Sequence, residues 1–377
     1  MRVVFGTDPI KYPLTGIGRY TYELAQELER NSEVSELLFL RGRMISQKLP
    51  QLTLKEEITS KVKSFAKNSK LASELYRYLA PWLKTIALSN HRDFIYHSPN
   101  FYLPPKIDRA VATFHDLSIF TWPQCHPEDR VRYMRKELLL TLRRAKVLIT
   151  DSEFTRKELA EYFDYPIEKI VSAPLASSGD FYPREYDSLR SLMDRLNLIA
   201  GQYTLFTGTI EPRKNIVTLL DAYERLPLEI RSRYPLVICG FSGWNSEALH
   251  RRFELAAQQG WLLYLGYLSS EDLPLLFSGA RTFLFPSLYE GFGLPVLEAM
   301  ASGVPVVCSN AASLPEVLGE SGLMCDALDV EGLTTAIIKS LEDENWRKLS
   351  IESGLSRTKT FSWARCAEKT IEAYKQV

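Results

Sequence analysis

The sequence has few cysteines, no net charge and no long apolar run. Its 377 residues include five cysteines, an odd number with no C-x-x-C pair. Most lie in or beside apolar runs, which predicts buried thiols and argues against a disulfide framework or a cysteine zinc site. The formal net charge is zero. Because no overall field attracts nucleic acid, we expect no nucleic-acid partner.

Other absences concern membranes and metals. No stretch approaches 18 consecutive apolar residues, so no membrane-spanning helix is predicted. The N-terminal "MRVVFGTDP" is too short for a signal peptide and predicts a first strand, which indicates a cytoplasmic protein. There is no D-x-D triplet, and the five histidines lack metal-ligand spacing. We therefore expect neither a metal nor another cofactor.

Short apolar runs alternate with amphipathic segments along most of the chain. Strands are predicted at "RVVF", "LLFL", "FIYH", "AVATFHD", "KVLIT" and "KIVSAP", and again at "YTLFTG", "PLVICG", "LLYLG", "TFLFP" and "VPVVC". Helical segments such as 127–145 and 152–163 separate them. This alternation predicts an α/β fold whose parallel sheets are covered by helices on both faces.

A polar segment with glycine and proline, 175–187, interrupts the alternation and predicts a linker. The chain length also suggests two domains, at roughly 100–200 residues each. We predict doubly wound domains over residues 1–178 and 179–360. Because ligands of such sheets bind at the carboxyl ends of the strands, the expected site is a cleft between the domains.

The segment "FPSLYEGFGLPVLEAMASGVPVV" carries Glu290 and Glu298, eight positions apart. A predicted strand precedes it, and Pro295 and Gly303 mark the start and end of a predicted helix. Glycines at such a turn let backbone N–H groups approach a ligand, and a helix N-terminus favours an anion. Carboxylates next to an anion site suit a sugar nucleotide. Its phosphate groups can bind the backbone N–H groups, while its hydroxyl groups bind the carboxylates. Glu298 alone is equally explained as a first-turn glutamate favoured by the helix dipole.

Arg213 and Lys214 follow the first predicted strand of the second half, in "FTGTIEPRKNI". Adjacent cations there suit a diphosphate, because a guanidinium binds phosphate bidentately and an ammonium acts as a point charge. The alternative is a pair of solvated charges. Since cations are slightly unfavourable at a helix N-terminus, the mismatch favours a functional role.

Two motifs of the first half are weaker. "TGIGRY" places Gly16 and Gly18 in a turn into a helix, but it lacks the third glycine of the dinucleotide fingerprint. This disfavours an NAD oxidoreductase. "ATFHDLS" places His115 and Asp116 directly after a strand. A histidine there is either a structural residue or a group that orients a sugar hydroxyl in the cleft.

"GTIEPRKN" and "SLYEGFGLPVLEAMASGVPVV" resemble the signature segments of glycosyltransferase family 4. The members of that family are retaining enzymes of the GT-B fold. The spacing of Glu290 and Glu298 matches the E-x7-E motif of that family. "TGIGRY" and "FHD" fit its N-terminal glycine loop and first-domain histidine. The resemblance implies two Rossmann-like domains facing a cleft. It also implies that the last helix, within 361–377, packs back on the N-terminal, acceptor-binding domain.

The resemblance also implies residue roles. Arg213 and Lys214 would bind the diphosphate of a nucleotide-sugar donor, and Glu290 would hold the transferred sugar. His115 would contact the donor sugar, with Asp116 on the acceptor side. Cations preorganised in a closed cleft stabilise a leaving diphosphate without a metal.

The donor itself would lie mainly on the second domain. Glu298 would bind the ribose hydroxyls. The other donor-binding residues that the resemblance implies are Gly16, Gly18, Gly208, Thr209, Tyr267, Leu268, Gly291, Phe292, Gly293 and Leu294. Of these, Tyr267 and Leu268 would lie near the nucleobase.

"GTIEPRKN" is most similar to bacterial mannosyltransferases that use GDP-mannose in O-antigen or other surface polysaccharide synthesis. This likeness implies transfer of α-mannose to a lipid-linked saccharide, while glucosyl, rhamnosyl or galactosyl transfer stays open. A GT-B nucleotide-sugar 2-epimerase and a non-catalytic nucleotide-sugar binding protein are the alternatives of another class.

Two basic segments, 55–92 and 130–146, suit peripheral contact with the inner face of the cytoplasmic membrane. In the first, eight lysines and arginines interleave with apolar residues. The alternative for both segments is a solvated basic face of an amphipathic helix.

Overall fold

The computed structural model describes residues 1–11, 14, 16–50, 80–244 and 246–377. Within these residues, thirteen strands form two separate sheets. The first sheet has the order β3-β2-β1-β4-β5-β6-β7, and the second has the order β10-β9-β8-β11-β12-β13.

The first sheet is parallel except for its edge strand β3, which pairs with β2 in antiparallel fashion. Its strands are β1 Arg2–Gly6, β2 Glu36–Arg41, β3 Met44–Ser46, β4 Ile95–Ser98, β5 Ala110–Phe114, β6 Val147–Thr150 and β7 Ile170–Ser172. Every residue of β4, β5 and β6 is buried. Burial of consecutive residues follows because helices cover both faces of the sheet.

The second sheet is parallel throughout. Its strands are β8 Thr204–Thr207, β9 Leu236–Cys239, β10 Leu262–Gly266, β11 Thr282–Phe285, β12 Val306–Ser309 and β13 Leu323–Cys325. The strand order reverses between β8 and β11. Such a switch point opens a crevice at the carboxyl ends of the two strands, where ligands of this architecture bind.

Helices pack on both sheets. Their bounds are Gly16–Arg30, Ser118–Thr121, Glu128–Arg144, Glu153–Phe163, Tyr186–Leu196, Ile216–Glu224, Leu228–Arg233, Glu247–Gln258, Asp272–Ser278, Leu294–Ala301, Leu314–Leu318, Val330–Glu342, Glu344–Thr358 and Trp363–Tyr374. Several begin at the side chains that cap helices well. Ser152, Asp329, Asp343 and Ser362 each accept a hydrogen bond from a backbone N–H of the first turn.

The last helix, Trp363–Tyr374, returns to the first sheet, where it packs on β6, β7 and the helix Gly16–Arg30. The Tyr374 hydroxyl lies 2.6 Å from Nδ1 of His97, and Nε2 of that ring lies 2.9 Å from the Thr113 hydroxyl. Burial lowers the pKa of His97 to about 3, so its ring is neutral. A buried polar chain therefore fixes the C-terminal helix on the first half.

The predicted α/β fold is confirmed, with two doubly wound sheets and a returning C-terminal helix. The sequence analysis missed the short edge strands β3 and β13 and the helices Tyr186–Leu196, Val330–Glu342 and Glu344–Thr358. Of the predicted linker 175–187, the part up to residue 185 has no regular helix or strand, and Tyr186 begins a helix. The domain boundary at residues 178 and 179 stays a prediction.

Most of the basic segment 55–92 lies outside the described residues, and its part 80–88 is helical. In the second segment, Arg135 donates to the carbonyls of Ile119 and Phe120, and Arg144 donates to the carbonyl of Leu103. These arginines hold their helix against the first half. In the part of the chain that the structure describes, no helix is both long and apolar enough to cross a bilayer.

Replacing Tyr374 by phenylalanine removes the hydroxyl that His97 contacts and leaves a buried ring nitrogen without a partner. We expect Tyr374→Phe to lower the free energy of unfolding by about 1–3 kcal/mol, measured by urea denaturation. Tyr186→Phe is the matched control, because that tyrosine is 59% exposed. An equal, small effect in both variants would contradict this role of Tyr374.

Candidate active site

An ion-pair cluster lies at the switch point of the second sheet. Lys214 ends a short 3-10 helix after β8, and Glu290 lies in the loop after the neighbouring β11. Nζ of Lys214 donates to Oε1 of Glu290 at 2.6 Å, and Nη1 of Arg213 donates to Oε2 at 3.3 Å. All three side chains are at most 12% exposed. The sheet thus brings Glu290 to the adjacent residues Arg213 and Lys214, which lie 77 and 76 positions earlier in the sequence.

Arg213 is committed mainly to protein partners. Its Nε and Nη2 donate to Oε1 of Glu211 at 3.2 and 2.8 Å, and its Nη1 also donates to the carbonyl of Tyr289 at 2.7 Å. Burial alone would lower the pKa of Arg213, but the carboxylates of Glu290, Asp116 and Glu211 raise it above its ordinary value. Arg213 therefore remains charged and ties the loop after β11 to the loop after β8.

Glu290 is an ionised carboxylate in a buried position. Burial alone would raise its pKa, but Lys214 and Arg213 outweigh that effect and hold the pKa below its ordinary value. Each carboxylate oxygen accepts a hydrogen bond from a different cation. The pair fixes the orientation of Glu290 relative to the strand ends.

The glycine loop after Glu290 lies against the first half of the chain. A Cβ placed on Gly291 would lie 1.7 Å from the carbonyl oxygen of His115, so only glycine fits there. The carbonyl of Gly291 accepts from the hydroxyls of Ser152 and Thr155 at 2.6 and 3.1 Å. Gly293 has a φ of 107° and precedes the helix Leu294–Ala301. The loop therefore joins both halves at the carboxyl ends of their strands.

Tyr289 adds a second link between the halves. Its hydroxyl donates to the carboxylate of Glu158 and accepts from the backbone N–H of Leu117 at 3.0 Å. Burial raises the pKa of Glu158 to about 7. The residue directly before Glu290 is thus fixed by side-chain and backbone groups of the first half.

His115 makes two polar contacts within the first half. Its Nδ1 lies 2.7 Å from the carboxylate of Asp151, and its Nε2 donates to the carbonyl of Pro99 at 2.8 Å. Burial alone would lower the pKa of His115, but Asp151 outweighs burial and raises it. The backbone carbonyl, not the ring, is the part of His115 that reaches the glycine loop.

Asp116 follows His115 and faces the cation cluster. Its Oδ1 accepts from the N–H and the hydroxyl of Ser118 at 2.9 and 2.7 Å. Burial alone would raise its pKa, but Arg213 of the second half outweighs burial and lowers it. The carboxylate of Asp116 therefore completes a charge cluster to which both halves contribute.

Glu298, the second glutamate of the E-x7-E motif, lies close to the helix that begins with the N-terminal glycine motif. Glu298 is buried on the helix Leu294–Ala301. Burial raises its pKa to about 7, with Arg19 acting in the opposite direction. Arg19 belongs to the helix that begins at Gly16 and has Gly18 in its first turn. The N-terminal turn of that helix therefore approaches the second half.

The other predicted donor residues lie at neighbouring strand ends. Gly208 and Thr209 follow β8, and Tyr267 and Leu268 follow β10. The Tyr267 ring stacks on Phe241, which follows β9, with centroids 4.4 Å apart and an angle of 18°. These residues lie along the same edge of the second sheet as Lys214.

Sequence reasoning missed several residues of this arrangement. Glu211 is buried beside Arg213. Its position in the sequence, between a predicted strand end and the pair of Arg213 and Lys214, could have identified it as a site residue. Glu316 accepts from the backbone N–H groups of Glu153 and Phe154 at 2.9 and 3.0 Å. No local pattern predicts that contact, because its partners lie more than 160 positions away.

Within the described ranges, no group of three or more histidine, cysteine, aspartate or glutamate side chains is arranged to hold a metal ion. The expectation of a reaction without metal stays a prediction.

The profile described as Glycosyltransferase Family 4 matches residues 14–175, and the one described as Glycosyl transferases group 1 matches residues 200–356. The chain is 47% identical to O-antigen chain mannosyltransferase B of Escherichia coli over the full length of both proteins. The chain belongs to glycosyltransferase family 4. It is also 35% identical to the serotype-specific mannosyltransferase WbdA of Escherichia coli, over 71% of this chain and 34% of that protein.

Solved structures agree on the fold. WaaG, a glycosyltransferase involved in lipopolysaccharide biosynthesis, superposes with a TM-score of 0.71 at 15% identity, covering 98% of each chain. HepE of Anabaena, in complex with UDP and glucose, superposes with a TM-score of 0.69 at 15% identity over the whole of both chains. The enzyme is thus a glycosyltransferase of the GT-B fold. The roles of its individual site residues stay predictions.

Glu298 provides a test of the site by pH. Its pKa is about 7 in the folded state against 4.5 ordinarily. Between these values the folded state keeps a proton that the unfolded chain releases, so stability falls as pH rises through this window. We expect the free energy of unfolding of Glu298→Gln to rise relative to that of the wild type by up to about 3 kcal/mol between pH 4.5 and 7.5. One pKa unit corresponds to about 1.4 kcal/mol.

The measurement is the free energy of unfolding of both proteins at several pH values. The exposed Glu352 supplies the control variant, Glu352→Gln, whose curve should run parallel to that of the wild type. Parallel curves for Glu298→Gln as well would show that Glu298 does not titrate near neutral pH.

Proposed function

We propose that this glycosyltransferase transfers α-mannose from GDP-mannose to a lipid-linked saccharide in O-antigen synthesis, with retention of configuration. The observation that carries the reaction class is the buried pair of Lys214 and Glu290 beside Gly291, at the strand ends where the two halves meet. The 47% identity to an O-antigen chain mannosyltransferase supports mannose as the sugar and O-antigen as the pathway.

The diphosphate of the donor is proposed to bind beside Lys214. Its ammonium group has three N–H donors, of which one faces Glu290, whereas the guanidinium of Arg213 is largely occupied by Glu211, Tyr289 and Glu290. Negative charge builds on the diphosphate as the glycosidic bond breaks. A fixed cation in a water-poor cleft stabilises that charge without reorganisation. Arg213 then acts as a positioning residue for the loop.

Retention is proposed to proceed by front-face attack. The acceptor hydroxyl attacks C1 of the sugar on the face that the diphosphate leaves, and its proton passes to the departing phosphate oxygen. Glu290 is not proposed as a nucleophile, because both its carboxylate oxygens are hydrogen-bonded to cations, which lowers their basicity. Instead it would hold hydroxyl groups of the sugar.

Peripheral membrane contact is proposed through the exposed cations of the second basic segment. Arg130, Arg132, Lys136, Arg143 and Lys146 are exposed, whereas Arg135 and Arg144 bond to the first half. Exposed cations in one segment suit an anionic bilayer, where each contributes roughly 1 kcal/mol. A lipid-linked acceptor would be presented at that surface.

The deciding experiment is a thermal-shift comparison of GDP, UDP, ADP and NAD, followed by a transfer assay with GDP-mannose. A nucleotide at about 100 times its dissociation constant adds about 2.7 kcal/mol to the folded state. We expect GDP to raise the midpoint. A shift with UDP or ADP in place of GDP would overturn the mannosyl donor and leave another sugar, and product formed without acceptor would favour an epimerase.

Removing the ammonium group of Lys214 should impair the chemical step. We expect Lys214→Ala to lower kcat by about 10²–10³, the usual cost of one group that stabilises transition-state charge. Lys348→Ala, which removes an exposed ammonium from the same half, serves as the control. Thermal midpoints of both variants establish that they are folded, and an unchanged kcat in Lys214→Ala would remove Lys214 from the mechanism.

A further inference from the structure

The short helix Leu314–Leu318 in the second half connects three parts of the enzyme. Ser313, directly before it, contacts the loop that carries Glu290. Glu316 reaches across to the first half, and Arg357 binds the backbone carbonyl of Glu316. The binding and transfer roles proposed above do not use this helix.

Glu316 binds the start of the helix Glu153–Phe163 in the first half. Its Oε1 accepts from the backbone N–H of Glu153 at 2.9 Å, and its Oε2 accepts from that of Phe154 at 3.0 Å. The first N–H groups of a helix have no partner within the helix, and the helix dipole there favours a carboxylate. Two of these N–H groups are therefore paired by a side chain of the second half.

The same helix start also holds the glycine loop. The carbonyl of Gly291 accepts from the hydroxyls of Ser152 and Thr155 at 2.6 and 3.1 Å. Ser152 in turn accepts from the backbone N–H of Thr155 at 3.1 Å. The start of one helix in the first half therefore binds two separate segments of the second half, the loop after β11 and the helix of Glu316.

Ser313 connects these two segments within the second half. Its side chain is buried, and its hydroxyl can donate to the carbonyl of Phe292 at 2.7 Å or to that of Glu290 at 2.9 Å. These two carbonyls stand on either side of Gly291. Because Ser313 and Glu316 are three residues apart on one short helix, a movement of Glu316 would be passed to the glycine loop.

Arg357 fixes the backbone of the short helix. Its Nη2 donates to the carbonyl of Glu316 at 2.6 Å, and its Nε donates to the carbonyl of Val317 at 3.2 Å. Arg357 lies near the end of the helix Glu344–Thr358, just before the chain crosses to the C-terminal helix on the first half. These charge-assisted hydrogen bonds hold the backbone of Glu316 in the second half while its carboxylate binds the first half.

We propose that Glu316 is a positioning residue that couples closure of the two halves to the placement of the Glu290 loop. When the halves meet, the Glu316 carboxylate engages the helix start, and Ser313 holds the carbonyls of Glu290 and Phe292. When the halves separate, the loop and the short helix lose their partners in the first half together. This role rests on the proposed function, since it serves that reaction.

Replacing Glu316 by glutamine keeps the shape of the side chain but sets an amide N–H₂, which only donates, against one of the two backbone N–H groups. We expect Glu316→Gln to lower kcat for transfer from GDP-mannose to octyl α-mannobioside by about tenfold, because the closed arrangement is then less populated. The dissociation constant of GDP should stay within about twofold of the wild type, because GDP is proposed to bind the second half.

Glu320→Gln is the matched control, because it removes an exposed carboxylate two residues past the same helix. Its kcat should stay within about twofold of the wild type, as for other surface changes. Thermal midpoints of all variants establish that they are folded. An unchanged kcat in Glu316→Gln would overturn the proposal.

Ser313→Ala tests the connection from Glu316 to the loop. It should also lower kcat, and the loss in the double variant Glu316→Gln/Ser313→Ala should be smaller than the product of the two single losses, because both residues act through one connection. Losses that multiply would show that the two residues act independently, which would overturn the coupling. If Ser313→Ala does not fold, hydrogen exchange decides the matter.

Backbone hydrogen exchange followed by mass spectrometry needs no turnover and no nucleotide. The N–H groups of Val296 and Leu297 donate to the carbonyl of Gly293 at 3.0 and 3.4 Å, so their exchange reports on the glycine loop. In Glu316→Gln we expect exchange to become about fivefold faster both there and at the start of the helix Glu153–Phe163.

Glu320→Gln should exchange like the wild type in both places. Faster exchange at the start of the first-half helix alone would show a contact without coupling and would overturn the proposal. If GDP-mannose is not the donor, the wild type fails in the transfer assay while the exchange contrast between Glu316→Gln and Glu320→Gln persists. That outcome would overturn the proposed donor and support the coupling.

Discussion

The backbone of Gly291 lies directly against the backbone of His115, and the geometry of the cleft depends on this contact. No side chain fits between them, since a Cβ on Gly291 would overlap the His115 carbonyl. On the other side, the hydroxyls of Ser152 and Thr155 hold the Gly291 carbonyl. Because Glu290 immediately precedes this glycine, the position of its carboxylate is set by the first half as well as by its own sheet.

The charges around Glu290 form a cluster that is costly to bury unless every member is paired. Two cations, Arg213 and Lys214, face the carboxylates of Glu211, Glu290 and Asp116. Charge pairs of this kind gain Coulomb energy but lose hydration, so their net contribution to stability is small. The charge pairs instead fix the positions of the loops, because Arg213 is held by four hydrogen bonds to the loops after β8 and β11. The Lys214 ammonium, by contrast, donates to Glu290.

The sequence predicted the α/β fold well because strands and helices leave local signals, and it singled out Lys214 and Glu290 without predicting that they form an ion pair. Apolar runs mark most strands, and the residues after β8 and β11 meet because those strands are neighbours. The short β13 was missed because it has three residues, of which none is fully buried. The orientation of His115 was not predictable either, since its partners Asp151 and Pro99 come from two other strand ends. Contacts between the halves, such as that of Glu316, depend on tertiary geometry alone.

Polar contacts join the two halves beside aromatic ones, such as those of Tyr289 with Trp122 and Phe154, and the polar contacts affect how closure responds to ligands. Glu316 caps the N-terminus of the helix Glu153–Phe163, and the Tyr289 hydroxyl binds Glu158. On opening, water would replace each partner, so each hydrogen bond contributes only about 0.5–1.5 kcal/mol net. These hydrogen bonds by themselves would then change the free energy between open and closed arrangements only a little. A donor that contacts the loop after β11 and the first half together binds the closed arrangement better, and that difference alone shifts the equilibrium.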